Sequence, residues 1–130
     1  MKHIATLLLF FLPMALQANV VDGLLKGYQV SGAGGFSAEQ GAADWQRRVA
    51  HAKSGQARSC SDCHGSDLTK EGGHAKTGKL IEPMAPSANP QRLSDAKKIE
   101  KWFKRNCKWT WGRECTAQEK GDLLRYLQQQ

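Results

Sequence analysis

No stretch of this sequence is apolar for long enough to cross a bilayer. A membrane-spanning helix needs about 20 such residues. The longest run, Ile4–Leu16, falls short of that and sits at the amino end. Cysteine is scarce, with four in 130 residues: Cys60, Cys63, Cys107 and Cys115. Only the first two form a close pair, so a four-ligand zinc site lacks its second pair. The glycine-rich stretch Ser31–Gly35 is not followed by Lys-Ser or Lys-Thr at the spacing of a phosphate-binding loop. The formal net charge is +7, but the basic residues do not alternate with aromatics as a nucleic-acid surface would require.

What is present begins with a secretory signal at residues 1–18. Lys2 and His3 form a short basic start, the apolar run follows, and small Ala18 precedes the expected cut. The remaining chain, 19–130, has room for one domain with a modest core. Nothing in it suggests membrane insertion. The signal implies an oxidising compartment, most simply the bacterial periplasm, where disulfides persist. Lys2 is the only Lys or Arg in the signal, so the mature chain stays basic. That balance favours an acidic partner surface and electrostatic steering.

The central stretch is Cys60-Ser61-Asp62-Cys63-His64. Two cysteines three positions apart, with a histidine straight after, have the spacing of a c-type haem attachment site. Cys60 and Cys63 would form thioethers with the haem vinyl groups, and His64 would be the proximal iron ligand. A thioredoxin-like pair needs a strand before it and a helix opening on it, and Gly55–Ser59 does not make that strand. A structural disulfide between Cys60 and Cys63 gives His64 no role.

Along the chain, Asn19–Gly35 is rich in glycine, with scattered apolar residues, and reads as an irregular arm with room for a short helix. Ser37 and Gln40 have the spacing of a capping box. The helix they open is expected to run past Trp45, Val49 and Ala52 to Gly55, with Gly41 and Trp45 on its packing side and His51 exposed. Gly65–Lys79 reads as a loop at the haem edge, with His74 at the surface. Leu80–Pro90 is a proline-rich loop carrying Met84, a candidate sixth ligand; its alternative is an apolar residue packed on the porphyrin.

A second helix is expected over Ser94–Cys107, capped by Ser94. Ile99, Trp102 and Phe103 form its apolar stripe, and Asn106 falls on the same stripe. Lys97, Lys98, Lys101, Lys104 and Arg105 cover the other side, and the lysines are a candidate docking face. An amide aimed at a core needs a partner. That partner is the iron, a nearby carbonyl, or a helix end that the amide caps. Cys107 and Cys115 are left over once the haem takes the other two cysteines, and a disulfide is their natural pairing. Thr116 and Glu119 form a second capping box on a last helix packed through Leu123, Leu124, Tyr126 and Leu127, with Tyr126 meeting Gly41 and Trp45.

Together these pieces resemble class I cytochrome c, an all-α single domain wrapped around one covalent haem c. Three segments resemble the SHP-type cytochromes c more closely: Ile81–Pro90, Glu100–Cys107 and Gly112–Asp122. The resemblance implies that Asn106 ligates oxidised iron and detaches on reduction, which opens a site for oxygen, nitric oxide or carbon monoxide. It also implies a Cys107–Cys115 bridge and a dihaem cytochrome c or other redox protein as electron donor. Slow turnover of oxygen or nitrogen oxides is compatible with such an iron. A conventional electron carrier with His64/Met84 ligation is the alternative.

Overall fold

The computed structural model describes residues 12–130; the first eleven residues of the expected signal lie outside them. Five helices carry the fold: α1 (Leu12–Val30), α2 (Ala38–Gln46), α3 (Ser61–His64), α4 (Ala96–Trp111) and α5 (Ala117–Gln128). Two antiparallel ladders of two residues per strand join them: β1 (Val49–Ala50) with β2 (Ala57–Arg58), and β3 (Gly72–Gly73) with β4 (Leu80–Ile81). The domain is all-α apart from these two hairpins.

The main crossing is α2 on α5. A Cβ at Gly41 would stand 2.1 Å from the Asp122 carbonyl oxygen and 2.7 Å from Tyr126 Cβ, so only glycine permits this approach. The Trp45 and Tyr126 rings meet at 6.0 Å, as the sequence suggests. Thr116 caps α5 in a complete capping box with Glu119. Ser37 caps α2 through the Gln40 N–H, but its own N–H donates to Asp122 Oδ1 on α5 at 2.8 Å. Gln40 turns instead to Asp44. The second half of the expected box has become a tie between helices.

The arm expected to hold at most a short helix is helical through Val30, in a helix of 19 residues. Val21, Leu25 and Tyr28 follow one face of α1 and are buried, and α1 packs against α5. Gly23 and Gly27 stand in open space. Each costs about 1 kcal/mol of helix propensity, whereas each buried large side chain contributes about 1.5–3 kcal/mol, so packing wins. Tyr28 Oη donates to Glu100 on α4, and Lys120 on α5 donates to the other oxygen of Glu100 at 2.7 Å. Three helices meet at one carboxylate.

The helix from Ser37 ends at Gln46, well before Gly55. Arg47 turns extended, and Val49 and Ala50 pair with Arg58 and Ala57. Val49 and His51 are weak helix formers, and Arg47 is held elsewhere: its Nη2 lies 2.8 Å from Glu119 Oε1 and its guanidinium 4.1 Å from the Trp111 ring. Gly55, at φ 65°, serves the hairpin turn, and His51 lies in that turn. Asp95 caps α4, not Ser94, and the helix runs four residues past Cys107 to Trp111. The bonded pair Cys107–Cys115, with Cα atoms 5.6 Å apart, therefore ties the last turn of α4 to the approach of α5.

Glu119 anchors this corner. It accepts hydrogen bonds from both terminal nitrogens of Arg113, from Arg47 and from the Thr116 N–H. Arg113 above all holds its carboxyl down at about 2. A carboxyl depressed in the fold stabilises above its ordinary pKa, and that stability disappears as pH falls toward the folded value. Glu119→Gln should lower the melting temperature at pH 7 by about 4 °C, as expected for about 1 kcal/mol in a domain of this size. The gap to the parent should narrow between pH 4.5 and 2, which thermal melts across that range will check.

Candidate functional site

Cys60, Cys63 and His64 occupy one wall of a cavity of about 860 Å3. That volume lies in the upper part of the usual range for ligand pockets, about 300–1,000 Å3. The turn carrying these residues is fixed from three sides. Asp62 accepts from the Ser59 N–H at 3.0 Å and from Arg48 at 2.6 Å. Trp45 Nε1 donates to the Gly65 carbonyl at 3.0 Å, and its ring lies 5.3 Å from His64. Behind the turn, β3 presses so close that a Cβ at Gly72 would stand 2.1 Å from the Cys63 carbonyl oxygen.

Burial sets the chemistry of the wall. It lowers the His64 pKa to about 4, with Arg92 adding to the shift, so the imidazole is neutral at physiological pH. Its Nδ1 is buried and has no hydrogen-bond partner. Neutral imidazole is the metal-binding form. Burial likewise pushes the Cys60 thiol up to about 12. A dithiol redox site needs the opposite shift, so this environment argues against a thioredoxin-like role. Cys60 and Cys63 are free and not joined to each other.

The opposite side combines the 82–93 loop with one face of α4. Leu68, itself fully buried, accepts the N–H groups of both Met84 and Ala85 through one carbonyl. Arg92 reaches back to the carbonyls of Pro83 and Glu82 at 2.7 and 2.8 Å. Leu93, buried, holds the left-handed φ of 58° where the loop enters the cavity wall. From α4 come Ile99, Phe103, Asn106 and Thr110, with Leu123, Leu124 and Leu127 of α5 adding an apolar floor. A flat, apolar group with polar edges suits this lining, and haem c fits the pair of free thiols beside a neutral histidine.

The structure thus brings Cys60, Cys63, His64, Met84 and Asn106 to one cavity. Asn106 does not cap its helix, since Gly112 ends α4 in the left-handed conformation. Nor does it bond a nearby carbonyl: among the described residues its side-chain amide has no hydrogen-bond partner. His74 lies at the cavity edge, its Nδ1 accepting the N–H groups of Lys76 and Thr77. His51 is not among the lining residues. The basic side of α4 is less separate than its spacing suggests: Lys98 and Arg105 help line the cavity, and Lys97, Lys101 and Lys104 do not. Arg92 and Thr110 escape the motif-based reading. The stripe through Ile99, Phe103 and Asn106 reaches Thr110 once the helix is extended beyond Cys107; Arg92 leaves no sequence signal.

Comparison with known proteins finds cytochromes among the relatives of this chain. The family described as "Domain of unknown function (DUF1924)" matches residues 31–127. Cytochrome c-type protein SHP of Cereibacter sphaeroides is 42% identical over 104 residues, 80% of this chain and 79% of that protein. The solved structure of oxidised SHP, described as an oxygen-binding cytochrome c, is 39% identical with a TM-score of 0.75, covering 85% of this chain and 96% of that one. The solution structure of Methylophilus methylotrophus cytochrome c'', described in terms of haem-ligand detachment, is 25% identical with a TM-score of 0.74. It covers 90% of this chain and 95% of that one.

Gly72 offers a direct test of how the wall is held. Gly72→Ala should push β3 off the Cys63 carbonyl and destabilise the fold by about 1–3 kcal/mol, the usual cost of overpacking. The purified variant should carry less haem per protein, measured by absorbance, and melt at a lower temperature.

Proposed function

This chain belongs to the DUF1924 family and is an SHP-type cytochrome c, and we propose that it is a periplasmic monohaem cytochrome whose Asn106 ligand is released on reduction to admit a diatomic gas. In this reading Cys60 and Cys63 carry the one haem as thioethers and His64 holds the iron from the proximal side. When bound, the haem supplies an iron that changes oxidation state and takes a sixth ligand. The observation that carries the reading is the Asn106 carboxamide, on the cavity-facing stripe of α4 without a protein partner.

An amide is a weak, hard ligand that suits ferric better than ferrous iron. Asn106 would be held less firmly by a reduced iron, and the Cys107–Cys115 bridge beside it would limit how far its amide can move. Oxygen, nitric oxide or carbon monoxide can then enter, and the freed amide can offer its N–H to the guest. A relative described as oxygen-binding and another described in terms of haem-ligand detachment both support the reading.

Met84 lines the same cavity, and its N–H is fixed by the Leu68 carbonyl. That placement favours the second reading, a conventional His64/Met84 electron carrier. A thioether prefers ferrous iron and would keep the site closed on reduction.

The setting follows from the chain. Residues 1–18 act as a secretory signal, and among the described residues the buried α1 side chains Val21, Leu25 and Tyr28 come after the cut. The bridged cysteines suit the periplasm. Electrons come from a dihaem cytochrome c or another redox protein, docked by charge against the exposed lysines of α4.

Visible spectra separate the two readings. The spectrum of the oxidised protein should change in Asn106→Ala, whereas Met84→Leu should leave it unchanged. The reduced protein should be high-spin and bind carbon monoxide. A low-spin reduced protein that ignores carbon monoxide, and responds to Met84→Leu but not to Asn106→Ala, would contradict the assignment.

A further inference from the structure

Asn106 is not the only polar group that α4 presents to the cavity. Thr110 lies one turn further along the same face, is 5% exposed, and lines the same space. Threonine inside a helix commonly turns its hydroxyl back to the carbonyl four residues earlier. Here it does not: among the described residues the Thr110 hydroxyl has no hydrogen-bond partner. The hydroxyl opens onto the cavity, and once a haem excludes water from that space a hydroxyl without a partner costs stability. Side chains four apart on a helix face each other, with Cβ atoms about 5–6 Å apart. The neighbour at that spacing is Asn106, whose amide is also without a partner.

We infer that the Thr110 hydroxyl receives the Asn106 carboxamide when that amide leaves the iron, so that Thr110 sets how readily the site opens. This rests on the reading of Asn106 as a releasable ligand. A hydroxyl is both donor and acceptor, so it can take either end of the carboxamide. On the iron, the amide exchanges its bond to Thr110 for coordination. Off the iron, the pair satisfies two groups that face the haem-filled cavity and have no other partner among the described residues. Thr110 is thus a positioning residue that shifts the balance between closed and open forms through Asn106. The disulfide after Asn106 helps by fixing the helix turn that carries both side chains. The two orphans lie on one element, so no rearrangement of the fold is needed to join them.

The test is cyanide binding to the oxidised, haem-loaded protein, where an incoming ligand must displace the amide. Cyanide affinity then scales with the stability of the released form. Thr110→Val removes the hydroxyl at nearly constant shape and should weaken cyanide binding by about 2- to 10-fold, the effect of one net hydrogen bond. Thr110→Ser should restore it. In an Asn106→Ala background, Thr110→Val should change nothing, because the group it receives is gone. The inference is overturned if Thr110→Val binds cyanide as the parent does. It is equally overturned if the loss persists in the Asn106→Ala background, since the hydroxyl would then act on the guest directly. If Asn106→Ala alone fails to tighten cyanide binding, the ligand assignment itself falls and takes this inference with it. A flat Thr110→Val beside a responsive Asn106→Ala removes only the role of Thr110.

Discussion

The hydrogen bond from Trp45 Nε1 to the Gly65 carbonyl joins the two halves of this molecule. On one side lies the α2–α5 crossing, closed at Gly41 by the backbone of Asp122 and packed by Tyr126. On the other lies the single turn that carries Cys60, Cys63 and His64. The bond fixes the first residue after His64, and the same indole ring lies beside the imidazole. The crossing therefore sets where the histidine sits. The wall behind it has little freedom, because β3 already touches the Cys63 carbonyl at Gly72.

The opposite wall is held differently. Its loop hangs from one carbonyl at Leu68 and from the reach of Arg92 to Pro83 and Glu82. Its helix is clamped at the far end by the Cys107–Cys115 bridge and by the Arg47–Glu119–Arg113 cluster around Trp111. These restraints flank Asn106 without using its amide. A side chain placed by a rigid helix yet unpartnered is suited to a ligand that must come and go. His64, neutral through burial, suits a ligand that stays.

Much of this was legible in the residues. The glycine and aromatics of the α2–α5 crossing, the Thr116–Glu119 box and the Cys107–Cys115 pairing stand as their spacings suggest, and Cys60, Cys63 and His64 line one cavity. The errors came where tertiary contacts outweighed local preference. Gly23 and Gly27 argued against a helix that the burial of Val21, Leu25 and Tyr28 supports. The helix expected to reach Gly55 stops at Gln46, where Arg47 turns to Glu119, seventy-two positions away. Thr110 was hidden because the stripe was stopped at the cysteine, although the helix continues to Trp111.

Under the proposed function, the chemistry would follow from which side chain meets the iron opposite His64. A thioether would make a closed electron carrier, whereas a carboxamide makes a site whose access depends on oxidation state. The most direct measurement is a pair of crystal structures of the haem-loaded protein, one oxidised and one reduced in the crystal. The account predicts the Asn106 amide on the iron in the first and withdrawn from it in the second, with Met84 on neither. Met84 sulfur on the iron in both states would contradict it.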